Sequence, residues 1–160
     1  MGQLAAGAEQ PKEAEQAFRR ARDLAEAAPE TWVALILFLA RTDPKQAETE
    51  LAEAKRKLPP DKAPLALAQC QEALGRLKEA EESYQIALAG KPNDPEMLRN
   101  MADFYGRNGQ RAKAEPLLRR LLAAETEVPE KTAAWARRTL AMYLAAAGTP
   151  PELPAGPGAS

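Results

Sequence analysis

Histidine is absent from the 160 residues. With it go His-based triads, imidazole metal sites and histidine proton switches near neutral pH. Cysteine occurs once, at Cys70, so no internal disulfide can form. A single thiol fits a reducing compartment, and the expected location is cytoplasmic. Cys70 has no histidine to activate it, and its place one turn from Leu67 and Leu74 makes it a core residue. Neither sign of charge dominates: 22 basic and 23 acidic residues give a net charge of −1. No global attraction to nucleic acid or to an anionic membrane follows. The longest apolar run, Trp32 to Ala40, is far too short to span a bilayer. No basic segment followed by an apolar stretch opens the chain, so no signal peptide is expected. P-loop, dinucleotide, zinc and calcium signatures are also missing, and no cofactor or metal is expected. Aromatic residues make up only 5%, which disfavours a β-sandwich.

What the chain has is alanine, and some of it is periodic. Ala14, Ala47, Ala80 and Ala114 share one frame. Phe18, Leu51, Tyr84 and Leu118 follow four residues later, and Ala21, Ala54, Ala87 and Leu121 three further on. A period of this length marks a stack of helical units that bury a continuous core together. An alanine methyl lets two helix backbones approach closely, and the large residue one turn later fills the space beside the contact.

Eight helices are expected. The first covers about 11–27, with Pro11 in its opening turn, where a missing N–H costs nothing. The second covers 30–41, and Asp43-Pro44 caps and opens the third, which ends before Pro59-Pro60. The fourth covers 62–74 and is broken by Gly75; the fifth covers 77–89. Asn93-Asp94-Pro95 opens the sixth, closed by Asn108-Gly109. The seventh covers 110–125, and Pro116 should kink it or delay its start. The eighth covers 129–147 and stops at Gly148. Short links between helices make neighbours antiparallel, so the chain is a series of helical hairpins. Residues 149–160, rich in proline and glycine, read as a disordered tail.

These residues resemble the tetratricopeptide repeat. Leu67-Ala68, Gly75, Ala80, Tyr84, Ala87 and Pro92 give the clearest copy. Met101-Ala102, Tyr105, Gly109 and Ala114 give the next, and Trp32, Leu35, Leu39, Ala47, Leu51, Ala54 and Pro59 an earlier one. Three positions depart from the pattern: Gln71 for tyrosine, Ile36 for a small residue and Asp43 for glycine. Ile36 is expected to widen the local helix packing. The resemblance implies an all-α, right-handed superhelix of antiparallel hairpins. A lead (1–10) precedes a half repeat (11–28), repeats at 29–60, 61–94 and 95–128, and a terminal helix (129–148). Residues 11–27 match only the second helix of a repeat. The hydrophobic segment 32–39 is apolar nearly all round, more than one hairpin can bury. A fragment of a longer array, or an oligomer covering that face, would account for it.

The resemblance further implies a non-catalytic scaffold whose first helices line a concave groove for a peptide or partner helix. Carried onto this sequence, the groove takes Val33, Leu37, Leu65, Gln69 and Glu72 from the earlier hairpins. Arg99, Asn100, Asp103 and Arg107 follow, then Arg138 and Met142 from the last helix. Glu96 and Trp135 fall beside them. Val33 and Leu37 have a plainer reading, as packing for a neighbouring repeat. Of the clamp by which some members hold a terminal carboxylate, only Asn100 matches. Leu65, Gln69, Trp135 and Thr139 stand elsewhere in it, so that ligand is not expected. The arginine pairs 19–20 and 119–120 read as a solvated convex face rather than a nucleic-acid patch, since acidic residues lie nearby and no aromatic platform accompanies them. Lys55-Arg56-Lys57 suits a helix C-terminus, and Glu79, Glu81 and Glu82 a helix start. Self-assembly through terminal hairpins, or service as the adaptor part of a larger protein, are the alternative functions. The expected partners are proteins, with a homo-oligomer as one case, and neither nucleic acid nor membrane.

Overall fold

The computed structural model describes residues 3–123 and 128–148. Among these are eight α-helices: α1 (Gln3–Leu24), α2 (Pro29–Thr42), α3 (Pro44–Lys57), α4 (Ala63–Ala73), α5 (Leu77–Gly90), α6 (Pro95–Arg107), α7 (Arg111–Ala123) and α8 (Glu130–Ala146). Contacts divide the chain into two compact units, residues 1–86 and 87–160. The expected disordered tail, 149–160, and the expected end of the seventh helix near residue 125 lie outside the described residues.

Local chemistry sets several helix ends. The Asp43 carboxylate accepts from the Gln46 N–H at 3.2 Å, and the Asp94 carboxylate from Glu96 and Met97 at 2.9 and 3.0 Å. A proline follows each cap at the first helical position, where its fixed φ helps and its absent N–H is not missed. At the other ends, Gly75 and Gly109 adopt φ of 73° and 72°, a left-handed conformation open to glycine without strain. Each is flanked by the same bond pair. Gly75 N–H donates to Glu72 O (2.9 Å) and Arg76 N–H to Gln71 O (2.8 Å), as Gly109 does to Gly106 O (3.2 Å) and Gln110 to Tyr105 O (2.8 Å).

One proline expectation is corrected, and one of two alternatives for another is removed. The first helix starts at Gln3, so Pro11 lies inside it. Proline has no N–H for the Gly7 carbonyl, but leucine and alanine before it are strong helix formers and carry the helix past the lost bond. Likewise Pro116 sits within α7 without delaying its start at Arg111.

In the first unit, α2 is flanked by α1, α3 and α4. Trp32, Leu35, Ile36 and Leu39 of α2 have no exposed surface, and they join Ala47, Leu51 and Ala54 of α3 and Ala63, Ala66 and Cys70 of α4 in one cluster. Ile36, the large residue at a small-residue position, is thus a full member of the core. The segment expected to lie uncovered is mostly covered. Phe38 packs on Phe18 of α1 with ring centroids 5.4 Å apart, Val33 is half-buried, and only Leu37 keeps 40% of its surface.

The repeating alanines behave as their spacing requires. Ala47, Ala80 and Ala114 are fully buried, with Leu51, Tyr84 and Leu118 beside them. On α1 the stripe is only half covered, and Ala21 is exposed. Ala80→Leu should overpack its site and destabilise the protein by about 1–3 kcal/mol. Urea unfolding would reveal this as a lower midpoint at unchanged slope, whereas an unmoved midpoint would mean the helices have room to part.

Gln71, the residue in place of tyrosine, is also buried. Its amide nitrogen faces the carbonyl oxygens of Leu67 and Glu79, each at 3.1 Å, and Ser83 Oγ at 2.7 Å. The polar substitute is therefore satisfied by bonds that tie α4 to α5, as a buried amide requires. The Tyr84 hydroxyl adds a bond to Glu72 at 3.0 Å.

In the second unit, α7 packs against both α6 and α8, and α6 touches α8. Leu98, Met101, Ala102, Phe104 and Tyr105 of α6 meet Leu117, Leu118 and Leu121 of α7 and Ala133, Ala136, Leu140 and Leu144 of α8 as buried faces. Gly106 leaves room for the Tyr143 hydroxyl, which a Cβ at this position would strike.

Candidate partner-binding surfaces

The first helices of the hairpins each carry buried residues, and the expected groove residues beside them are half-buried or exposed. In the first unit, α2 and α4 run side by side. Val33 is half-buried against the core and Leu37 is exposed. Leu65, Gln69 and Glu72 of α4 are half-buried, and Glu72 is held by Tyr84.

In the second unit, α6 contributes Arg99, Asn100, Asp103 and Arg107, and α8 contributes Trp135, Arg138 and Met142. The Arg99 guanidinium lies over the Trp135 ring, 5.1 Å from its centroid, and its Nη1 is 3.5 Å from Thr132 Oγ1. Asp103 is paired with Arg107 one turn on. Arg138 is exposed, Met142 is 56% exposed and Asn100 is half-buried. The two sets belong to different units, and each is a surface in its own right.

A cluster that sequence reasoning missed lies beneath α1. Glu50 of α3 is only 7% exposed, and both its oxygens are taken by α1. Arg19 Nη1 donates to one at 2.6 Å and Arg22 Nη1 to the other at 2.5 Å. Arg19 also bonds Glu15 at 2.8 Å, and it reaches Gln46. Arg22 stacks on Trp32, 5.0 Å from the ring centroid, and the Trp32 indole N–H donates to Glu26 O at 2.8 Å. Arg19 is therefore no part of a solvated face. Its equivalent, Arg119, does stay at the surface with Glu115, 2.9 Å away. A signal was present: three residues after each repeat alanine stand Ala17, Glu50, Ser83 and Leu117, so Glu50 interrupts an otherwise small or apolar stripe.

Two further titratable groups are perturbed by their surroundings. Arg76 grips Glu79 through two nitrogens, at 2.7 and 2.8 Å, and holds its carboxyl below the usual range. Burial pushes the Cys70 thiol from 9.0 up to about 12, which keeps it protonated and a poor nucleophile. Disulfide-exchange reagents should therefore label Cys70 at pH 8 only through unfolding, and fast labelling of the native protein would contradict the burial. The unfolded thiol ionises first, so stability from the neutral buried form is full below about pH 9 and lost as pH rises toward 12. Cys70→Ala should flatten the alkaline limb of stability against pH. Among the described residues, no group of three or more His, Cys, Asp or Glu could hold a metal, and no helix is long and apolar enough to cross a membrane.

Residues 62–127 match the family model of YpiA-like, C-terminal tetratricopeptide repeats. Among curated proteins, none matches the sequence. Of solved structures, a crystal structure of MamA superposes with a TM-score of 0.57 at 14% identity, over 92% of this chain and 85% of that one. The MamA MSR-1 structure gives 0.47 at 20% identity, over 83% and 72%. The AMB-1 structure gives 0.45 at 21%, over 75% and 67%. The first of these is a likeness of fold. Taken with the matched segment, it identifies this all-α chain as a helical-repeat fold whose segment 62–127 matches tetratricopeptide repeats.

Proposed function

We propose that this chain is a non-catalytic scaffold for protein–protein interaction, holding a peptide or partner helix along the first helices of its hairpins. One observation carries the reading: α2, α4, α6 and α8 are each anchored by buried residues, and each keeps half-buried or exposed residues of mixed chemistry beside them. Such a surface is rigid before a ligand arrives, so little ordering is lost on the protein's side when it binds. Val33, Leu37, Leu65, Gln69 and Glu72 would serve one stretch of ligand. Arg99, Asn100, Asp103, Arg107, Arg138 and Met142 would serve another. The inert Cys70 thiol and the arginine-held Glu79 support a role without catalysis in a reducing, cytoplasmic setting.

The direct test pans a random peptide library on the full chain and maps the selected peptides by amide chemical shifts. Shifts confined to the first helices are expected. Shifts confined to α3, α5 and α7 would sink the groove reading.

Self-assembly is the second reading, favoured by the exposure of Leu24 (88%) and Leu37 (40%). It requires a mass by light scattering that rises with concentration, and a Leu37→Glu variant that stays monomeric. Phe38 is no probe of it, because Phe18 covers that ring. An adaptor role within a larger protein is compatible with either.

A further inference from the structure

We infer that the α6–α8 face of the second unit selects an acidic peptide segment, its carboxylates pairing with Arg99 and Arg138 and an adjacent apolar side chain lying on Trp135 and Met142. This deepens the interaction reading and rests on it.

The argument begins with how Arg99 is held. Its guanidinium carbon lies over the Trp135 ring, 5.1 Å from the centroid, and its N–H groups form the edge of the planar fork. Carboxylates bind arginine through that edge, often with two parallel bonds. Thr132 Oγ1 touches only one nitrogen, at 3.5 Å, and among the described residues no acid pairs with Arg99. The indole also fixes the side chain, so less freedom is lost when a ligand arrives. Arg138 is exposed, stands one turn beyond Trp135 on α8, and likewise has no acidic partner among the described residues. Met142, a turn further, adds flexible apolar surface.

The acids near this face leave it cationic. Asp103 is paired with Arg107, and Glu130 lies 3.4 Å from Arg137. Glu96, exposed in the first turn of α6, is the one acid on this stripe with no ion pair. Across residues 87–148 basic side chains outnumber acidic ones, ten to seven, whereas residues 1–86 hold twelve basic and fifteen acidic. A uniformly anionic nucleic-acid backbone would meet Glu96 and Asp103 along α6. A peptide can place carboxylates at the arginines only and an apolar group at Met142.

The test uses the full chain and a short synthetic peptide of glutamates and leucines in a glycine–serine background, its lysine counterpart, and oligothymidylate. Saturable binding of the glutamate peptide is expected, weakening with salt. Arg99→Gln and Arg138→Gln should each weaken it about tenfold, with helical content unchanged. Arg99→Lys, which keeps charge but not the fork, should fall between. Equal binding of the lysine peptide, tighter binding of oligothymidylate, or full affinity in both glutamine variants would overturn the inference. The peptide library separates this from the broader reading. Neutral or basic peptides selected on α6–α8 overturn the acidic specificity alone, and no selected peptide anywhere overturns both.

Discussion

Trp32→Ala should destabilise the first unit by about 4 kcal/mol. The indole has no exposed surface and sits in the cluster of Leu35, Ile36, Leu39 and Leu51. Its loss leaves a cavity that the three helices flanking α2 cannot all close upon. It also releases two contacts: the indole N–H bond to Glu26 O, in the turn after α1, at 2.8 Å and the Arg22 guanidinium of α1 over the ring. Trp32→Phe keeps most of the volume and removes the N–H bond, so it should cost about 1–2 kcal/mol. Ala in place of Leu24, which is 88% exposed, is the matched control and should change almost nothing. Urea midpoints order the three variants. If Trp32→Ala unfolds with the Leu24 variant, the cluster around α2 does not hold this unit together.

The parts of the fold legible in the sequence are those decided within a few residues. Asp43-Pro44 and Asp94-Pro95 cap helices because the aspartates accept from amides two or three residues on. Gly75 and Gly109 close helices because φ near +70° needs no partner elsewhere. The alanine frame was legible because one period repeats through α3, α5 and α7. Proline misled for the same local reason. Pro11 read as a helix opening and Pro116 as a kink or a late start, but alanine- and leucine-rich surroundings carried the first helix through Pro11 and started α7 ahead of Pro116. The cover on α2 was hidden because it depends on which helix lies alongside: Phe38 looks uncovered until Phe18 is placed on it. The candidate surfaces follow this division. Their stripe positions came from the repeat frame, but the roles of their charges did not. Nothing in the sequence distinguishes Arg99, which finds a tryptophan, from Arg19, which finds a buried acid. Arg19 and Arg119 occupy equivalent positions and share an i−4 glutamate, yet only Arg19 faces a carboxylate on the next hairpin.

That carboxylate gives the other large effect. Glu50→Ala should cost about 3 kcal/mol, because it strips Arg19 and Arg22 of the acceptor at 2.6 and 2.5 Å. The penalty comes less from the attraction removed than from the charge left behind. The Arg22 side chain is only 15% exposed and cannot turn to water without leaving Trp32. Arg19, at 28% with Glu15 still beside it, should suffer less. Two further variants separate these causes. Glu50→Leu fills the space yet takes the buried acceptor from both arginines, leaving Arg19 with Glu15 and Arg22 with the exposed Asp23, so it should remain destabilised. Adding Arg22→Met to Glu50→Leu removes the stranded charge and should recover most of the loss, as apolar replacements of buried pairs often do. Salt supplies an independent check. A surface pair weakens by 1 M salt, but a pair this buried should hardly change, so the gap between native protein and Glu50→Ala should persist. Hydrogen exchange should locate the effect in α1, with amides of α6–α8 unaltered. A Glu50→Ala protein whose α1 amides exchange as slowly as before would show that Phe18 and Trp32 alone hold this helix.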